Sequence, residues 1–117
     1  LLGQEGLVTQ HRKHRGYESQ RVVAEYLRQW WPYAEPAGAG RPGTDVLGLI
    51  GIDVEVKARR DLDLTGTLRQ QAKRAQKGVI PVAVIRPDGY GPARIADWPA
   101  VMPLSVLARL LKEAGYA

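Results

Sequence analysis

Six residues, Ile52-Asp-Val-Glu-Val-Lys57, alternate strictly between apolar and charged side chains. No other stretch of the chain limits its fold so tightly. A period of two belongs to a β-strand, so Ile52, Val54 and Val56 share one face and Asp53, Glu55 and Lys57 the other. A second apolar run, Val46–Ile50, ends one residue earlier at Gly51. The two runs together predict a tight antiparallel β-hairpin. In it, Asp45 begins one strand, Glu55 and Lys57 lie late in its neighbour, and the two carboxylates meet near one end of a sheet.

Helical periodicity surrounds this core. From Tyr17 to Trp31 the residues Val22, Val23, Tyr26, Leu27 and Trp30 recur at three- and four-residue intervals, and Pro32 ends the helix. Residues 36–43 are too rich in glycine and proline for regular structure and predict a loop. Leu64 to Lys77 predicts a second, very basic helix stopped by Gly78. Val79 to Ile85 is almost wholly apolar and predicts a central strand, with Pro81 near its start. A turn at Pro87-Asp-Gly89 leads to an expected edge strand around Ala93–Ala96. A closing helix is expected over Leu104–Ala114, with Pro103 in its first turn and Gly115 after its end. The fold class expected is α/β, a small mixed central sheet flanked by helices with a C-terminal helix. At 117 residues the chain holds one core, here assigned to 16–117 behind a flexible basic arm at 1–15.

The charge balance is 17 Lys and Arg against 12 Asp and Glu, a net +5, which points to a polyanionic partner. Residues 57–77 hold seven basic side chains and two acidic ones. A second basic cluster runs from His11 to Arg15. The absence of cysteine excludes disulfides and thiolate metal sites. No stretch reaches the roughly 20 apolar residues of a membrane span, and no secretory signal pattern opens the chain, so a cytoplasmic protein is expected. There is no phosphate-loop or dinucleotide glycine motif, so no nucleotide cofactor is expected.

Asp45 and Glu55 supply the hard oxygen donors that suit Mg²⁺, which takes one or two carboxylates and completes its shell with water or phosphate. Lys57, on the same face as Glu55, is placed to hold an attacking water or to stabilise charge on a phosphate. The same alternation also describes a solvent-facing strand with cross-strand ion pairs worth roughly a few tenths of a kcal/mol. Three neighbours favour chemistry. Glu18 borders the apolar stripe of the first helix, with Glu25 about 20° away around the axis. The glycine-rich loop precedes Asp45, and the helix after Lys57 is studded with Arg and Lys, as phosphate binding requires. His11 and His14 lack partners at metal-ligand spacing. Trp30, Trp31 and Trp98 suit core or dimer packing better than base stacking.

Gly16-Tyr-Glu18 on the first helix, Gly43-Thr-Asp45 and Glu55-Val-Lys57 on successive strands, and Gln71-Ala72 in a basic helix together resemble the PD-(D/E)XK nuclease superfamily. Within it they are similar to the Holliday junction resolvase-like endonucleases of archaea and phages. The similarity covers roughly residues 12–115, and Thr44 stands where the family motif has a proline that is often missing. The resemblance implies a restriction-endonuclease-like αβββαβ core and a structure-selective DNA endonuclease of recombination, in the host cytoplasm if phage-encoded. It implies Mg²⁺, with Mn²⁺ as a substitute, held by Asp45, Glu55 and the Val56 carbonyl, with Glu18 acting through water or completing the acidic cluster. Lys57 would position the nucleophile, and Gln71 would orient Lys57 or a phosphate. Arg12, Lys13, Arg15, Arg41, Arg59, Arg60, Arg69, Lys73 and Arg74 would contact DNA. Paired cuts in a four-way junction need two sites, so a homodimer is expected. Alternatives are a nuclease of the same type acting on mismatched DNA or by restriction-type cleavage, and a DNA-binding module that kept the fold without the chemistry.

Overall fold

The polar face of β3 (Ile52–Ala58) sets the architecture, because it is buried as fully as the apolar face opposite. The computed structural model describes residues 16–38 and 40–117. The basic arm at 1–15, with His11, Arg12, Lys13, His14 and Arg15, lies outside the described residues. Helix α1 covers residues 16–27 of the described chain. It is followed by β1 (Glu35–Pro36), β2 (Val46–Leu47), β3, α2 (Leu64–Arg74), β4 (Ile80–Arg86), β5 (Ala100–Val101) and α3 (Leu104–Glu113). Short 3₁₀ turns cover Arg59–Asp61 and Pro92–Asp97.

The main sheet runs β3-β4-β5, with β3 and β4 parallel and β5 antiparallel to β4. The chain is therefore α/β with a mixed three-stranded sheet. Val54 and Val56 of β3, with Val82 and Val84 of β4, pack against Val22, Val23 and Ala24 of α1, and Trp98 joins the same cluster. Trp30 and Trp31, by contrast, stay exposed. On the other face Asp53 and Glu55 lie beneath α2, whose inward residues Thr67, Gln71 and Arg74 recur at helical spacing and are polar. Asp63 caps α2, its carboxylate accepting from the Gly66 N–H at 3.0 Å.

Four boundaries differ from the sequence-based expectation. The hairpin expected between Val46–Ile50 and Ile52–Val56 does not form a ladder. β2 pairs instead with β1, in the register Glu35↔Leu47 and Pro36↔Val46, so the glycine-proline loop is the hairpin's tip and the Ala37 N–H to Asp45 carbonyl bond (2.9 Å) closes its base. Gly48 explains the diversion: it has φ +86°, and a Cβ there would overlap the Tyr33 carbonyl, so the chain turns away from β3. The edge strand expected at Ala93–Ala96 is 3₁₀ helix, and β5 lies four residues beyond it. The first helix ends at residue 27 rather than Trp31, and α2 at Arg74 rather than Lys77.

Other expectations coincide with the structure. β4 is the central strand and Pro81 its second residue. The Ile80 N–H donates to Gly51, so Pro81, of opposite parity, faces the β5 side, where pairing covers only Ala83 and Val84. Its missing N–H therefore leaves no gap in the ladder. Helix α3 buries no residue and leaves Leu104, Leu107 and Leu111 exposed. No helix among the described residues is long and apolar enough to cross a membrane.

Candidate active site

At the C-terminal ends of the parallel strands β3 and β4 lies a cleft of about 620 Å³, bounded by the start of α1 and the loop after β4. Such strand ends are the usual ligand position in parallel sheets. Glu18, Asp45, Val56, Lys57, Arg60 and Arg86 all line it.

Asp45 is placed by the open edge of β3. Its N–H donates to the Val54 carbonyl (2.7 Å), and its Oδ2 accepts from the Val56 N–H (2.8 Å). The neighbouring Thr44 hydroxyl accepts from the Val54 N–H (2.9 Å) and donates to the Val46 carbonyl (3.0 Å). A proline at position 44 supplies no such hydroxyl, so Thr44 bolts the Asp45 segment to β3 by another route. Burial pushes the Asp45 carboxyl up from 3.8 to about 7, with the Val56 N–H opposing and the Glu55 carboxylate, close enough to share a hydrogen bond, adding to the rise. The expected meeting of Asp45 and Glu55 therefore occurs, through a strand edge rather than a hairpin ladder.

Glu55 is 5% exposed. Its Oε1 accepts from Nη2 of Arg74 at 2.6 Å. The same guanidinium holds both oxygens of Asp53, at 2.7 Å from Nε and 2.6 Å from Nη2. Hydrogen bonds to Asp53, then to Glu55, raise the Arg74 pKa further, so it stays charged. Arg74 is thus a clamp on the acidic face of β3 and has a different setting from the surface phosphate contact expected of it. Gln71, 1% exposed, donates from Nε2 to the carbonyls of Asp53 and Val82, each at 3.2 Å. Among the described residues it makes no hydrogen bond to Lys57, and it braces the β3–β4 pair under α2.

Glu18 lies on the opposite wall of the cleft, paired with Arg86 at 3.5 Å. Glu25 pairs with Arg21 on the exposed side of α1. Among the described residues no three His, Cys, Asp or Glu side chains gather closely enough to cage a metal ion. The expected acidic cluster is therefore reduced to Asp45 and Glu55. That pair still suits a hard divalent cation: two carboxylates crowd each other, one opens into the cleft, and the Val56 carbonyl shares the β3 edge of its N–H.

Arg41, Arg59, Arg60, Arg69 and Lys73 are exposed, with Arg59 loosely paired to Asp88 at 3.8 Å. Sequence reasoning missed Arg86. Its guanidinium stacks over Trp98 at 5.1 Å, donates from Nε to the Tyr90 carbonyl (3.0 Å) and from Nη1 to the hydroxyl of buried Ser19 (3.1 Å). One signal pointed to it: a basic residue directly after an apolar strand stands at the end where ligands collect. Comparison of the chain with protein-family models, curated proteins and solved structures gave no match.

Proposed function

We propose that the chain is a Mg²⁺-dependent endonuclease of the PD-(D/E)XK type that cuts branched DNA, four-way junctions first among them. One observation carries this: Asp45 and Lys57 line a cleft beyond the ends of two parallel strands, with the buried Glu55 carboxylate crowding Asp45 from behind. A nuclease needs such a combination, and a structural ion pair has no need to open into a cleft.

Asp45, Glu55 and the Val56 carbonyl would hold the ion, and Mn²⁺ would replace it. When bound, the ion acidifies water and neutralises charge on a phosphate. Lys57 orients the attacking water and stabilises the charge that builds on the phosphate during in-line displacement. Arg86, held flat by Trp98 and Ser19, offers its remaining donors to a phosphate on the far wall of the cleft. Arg60 lines the cleft, and the exposed Arg69 and Lys73 of α2 add positive charge for a DNA backbone. Two copies would cut a junction symmetrically, and the exposed leucines of α3 or the Trp30–Trp31 pair offer apolar surface for that contact.

One observation favours a second reading. Arg74 holds Glu55 tightly, as in a DNA-binding module that has lost the chemistry. A substrate panel separates the readings: a labelled four-way junction, a mismatched duplex and a linear duplex, each with Mg²⁺. Selective cutting of the junction supports the proposal, and equal cutting of all three leaves a nuclease without junction preference. Binding of all three with no cutting favours the module.

A further inference from the structure

Asp53 and Glu55 are two residues apart on one face of β3, so their carboxylates stand side by side beneath α2. Their side chains are 9% and 6% exposed, and solvent does little to neutralise them. A cation between them is therefore demanded by the fold. Nη2 of Arg74 is that cation, 2.6 Å from an oxygen of each carboxylate. Arg74 is the last residue of α2, where the helix dipole also favours positive charge.

A divalent ion bridging the same two carboxylates would take the place of Nη2. Asp45 stands elsewhere, at the open edge of β3, where its Oδ2 takes the N–H of Val56 next to Glu55 and its carboxylate lines the cleft. Glu55 thus has two flanks, one already neutralised and one not. We propose that Arg74 is a built-in counter-ion standing where a second divalent ion would sit, so that the site takes a single ion, on the Asp45 flank of Glu55. This rests on the metal-dependent reading above. A second Mg²⁺ would have to shed water, which it does reluctantly, and break three charge-assisted hydrogen bonds to enter. The geometry also gives Asp53 a role: it anchors the guanidinium through both oxygens and leaves one Nη2 hydrogen bond for Glu55.

The test is a count of Mn²⁺ ions bound per chain, read from the loss of the free-ion electron paramagnetic resonance signal in the absence of DNA. Wild type should bind one ion. Arg74→Met, which frees the Asp53–Glu55 pair, should bind two, whereas Arg74→Lys, which keeps a cation there, should bind one. Two ions on the wild type, or one on a folded Arg74→Met protein, would overturn the inference. Circular dichroism reports whether Arg74→Met folds, and if it does not, the wild-type count decides: one supports the inference and two ends it. No ion on the wild type overturns the metal-dependent reading itself, and the single-ion inference falls with it.

Discussion

Replacing Arg74 by methionine should lower stability by about 3 kcal/mol, the lower end of the range for removing one partner of a buried ion pair. The figure follows from what the substitution strands. Three charge-assisted hydrogen bonds of 2.6–2.7 Å disappear, and two carboxylates less than a tenth exposed keep their charge without a partner. Arg74 itself is 23% exposed, so water can enter where the guanidinium was, which is why the lower end applies. Methionine is a good helix former and leaves α2 otherwise unperturbed. In urea, where unfolding of a small domain has a slope of about 1–3 kcal/mol per molar, the midpoint should fall by about 1–3 M. Adding Asp53→Asn to Arg74→Met should recover part of the loss, because one stranded charge is removed. A midpoint drop below about 0.3 M at unchanged slope would mean that solvent screens the clamp as it does a surface pair, and the reasoning would fail.

Three further outcomes follow from the geometry. Because the Asp45 carboxyl rises from 3.8 to about 7 on folding, the native state holds its proton more tightly than the unfolded chain. Its contribution is complete below pH 4 and is lost as pH rises through about 7, so urea midpoints should show this decline in wild type and not in Asp45→Asn. Gly48→Ala should destabilise by about 1–3 kcal/mol in thermal or urea unfolding, since φ is +86° and a Cβ there would overlap the Tyr33 carbonyl; an unchanged midpoint would contradict the account of why β2 leaves β3. Lys57→Met should slow single-turnover cleavage by about 10²–10³ with DNA affinity altered only a few-fold. A loss confined to affinity would make Lys57 a binding residue only.

The legible parts of the fold are those whose local pattern and end signals state a conformation. The period-two run of β3, the apolar run of β4 and the Pro103 and Gly115 that bracket α3 each state their own conformation, although β3 buries its charged face too and α3 buries no residue. Partnership was less legible. Val46–Ile50 reads as the partner of β3 because the two short runs adjoin at Gly51, yet strand pairing depends on where the chain can pass, and Gly48 against Tyr33 sends it to Glu35–Pro36. Ala93–Ala96 follows the Pro87-Asp-Gly89 turn, where an edge strand is expected, but Pro92 opens a 3₁₀ turn and the edge strand forms only once that turn is complete. Within the site, Asp45, Glu55 and Lys57 could be placed together because they lie within 13 residues on adjoining segments. Sequence alone groups Arg74 with the surface cations, because nothing local says that the end of α2 folds back onto residues 19 and 21 positions earlier. Arg86 depends on Ser19, 67 positions away, and on Trp98 behind it.

Cleavage of a labelled four-way junction by wild type and by Glu55→Ala, in Mg²⁺ or EDTA, tests the central claim most directly. The account predicts paired nicks with wild type in Mg²⁺, none in EDTA, and none with Glu55→Ala although that protein still binds the junction. Cutting by wild type in EDTA, or undiminished cutting by Glu55→Ala, would contradict it.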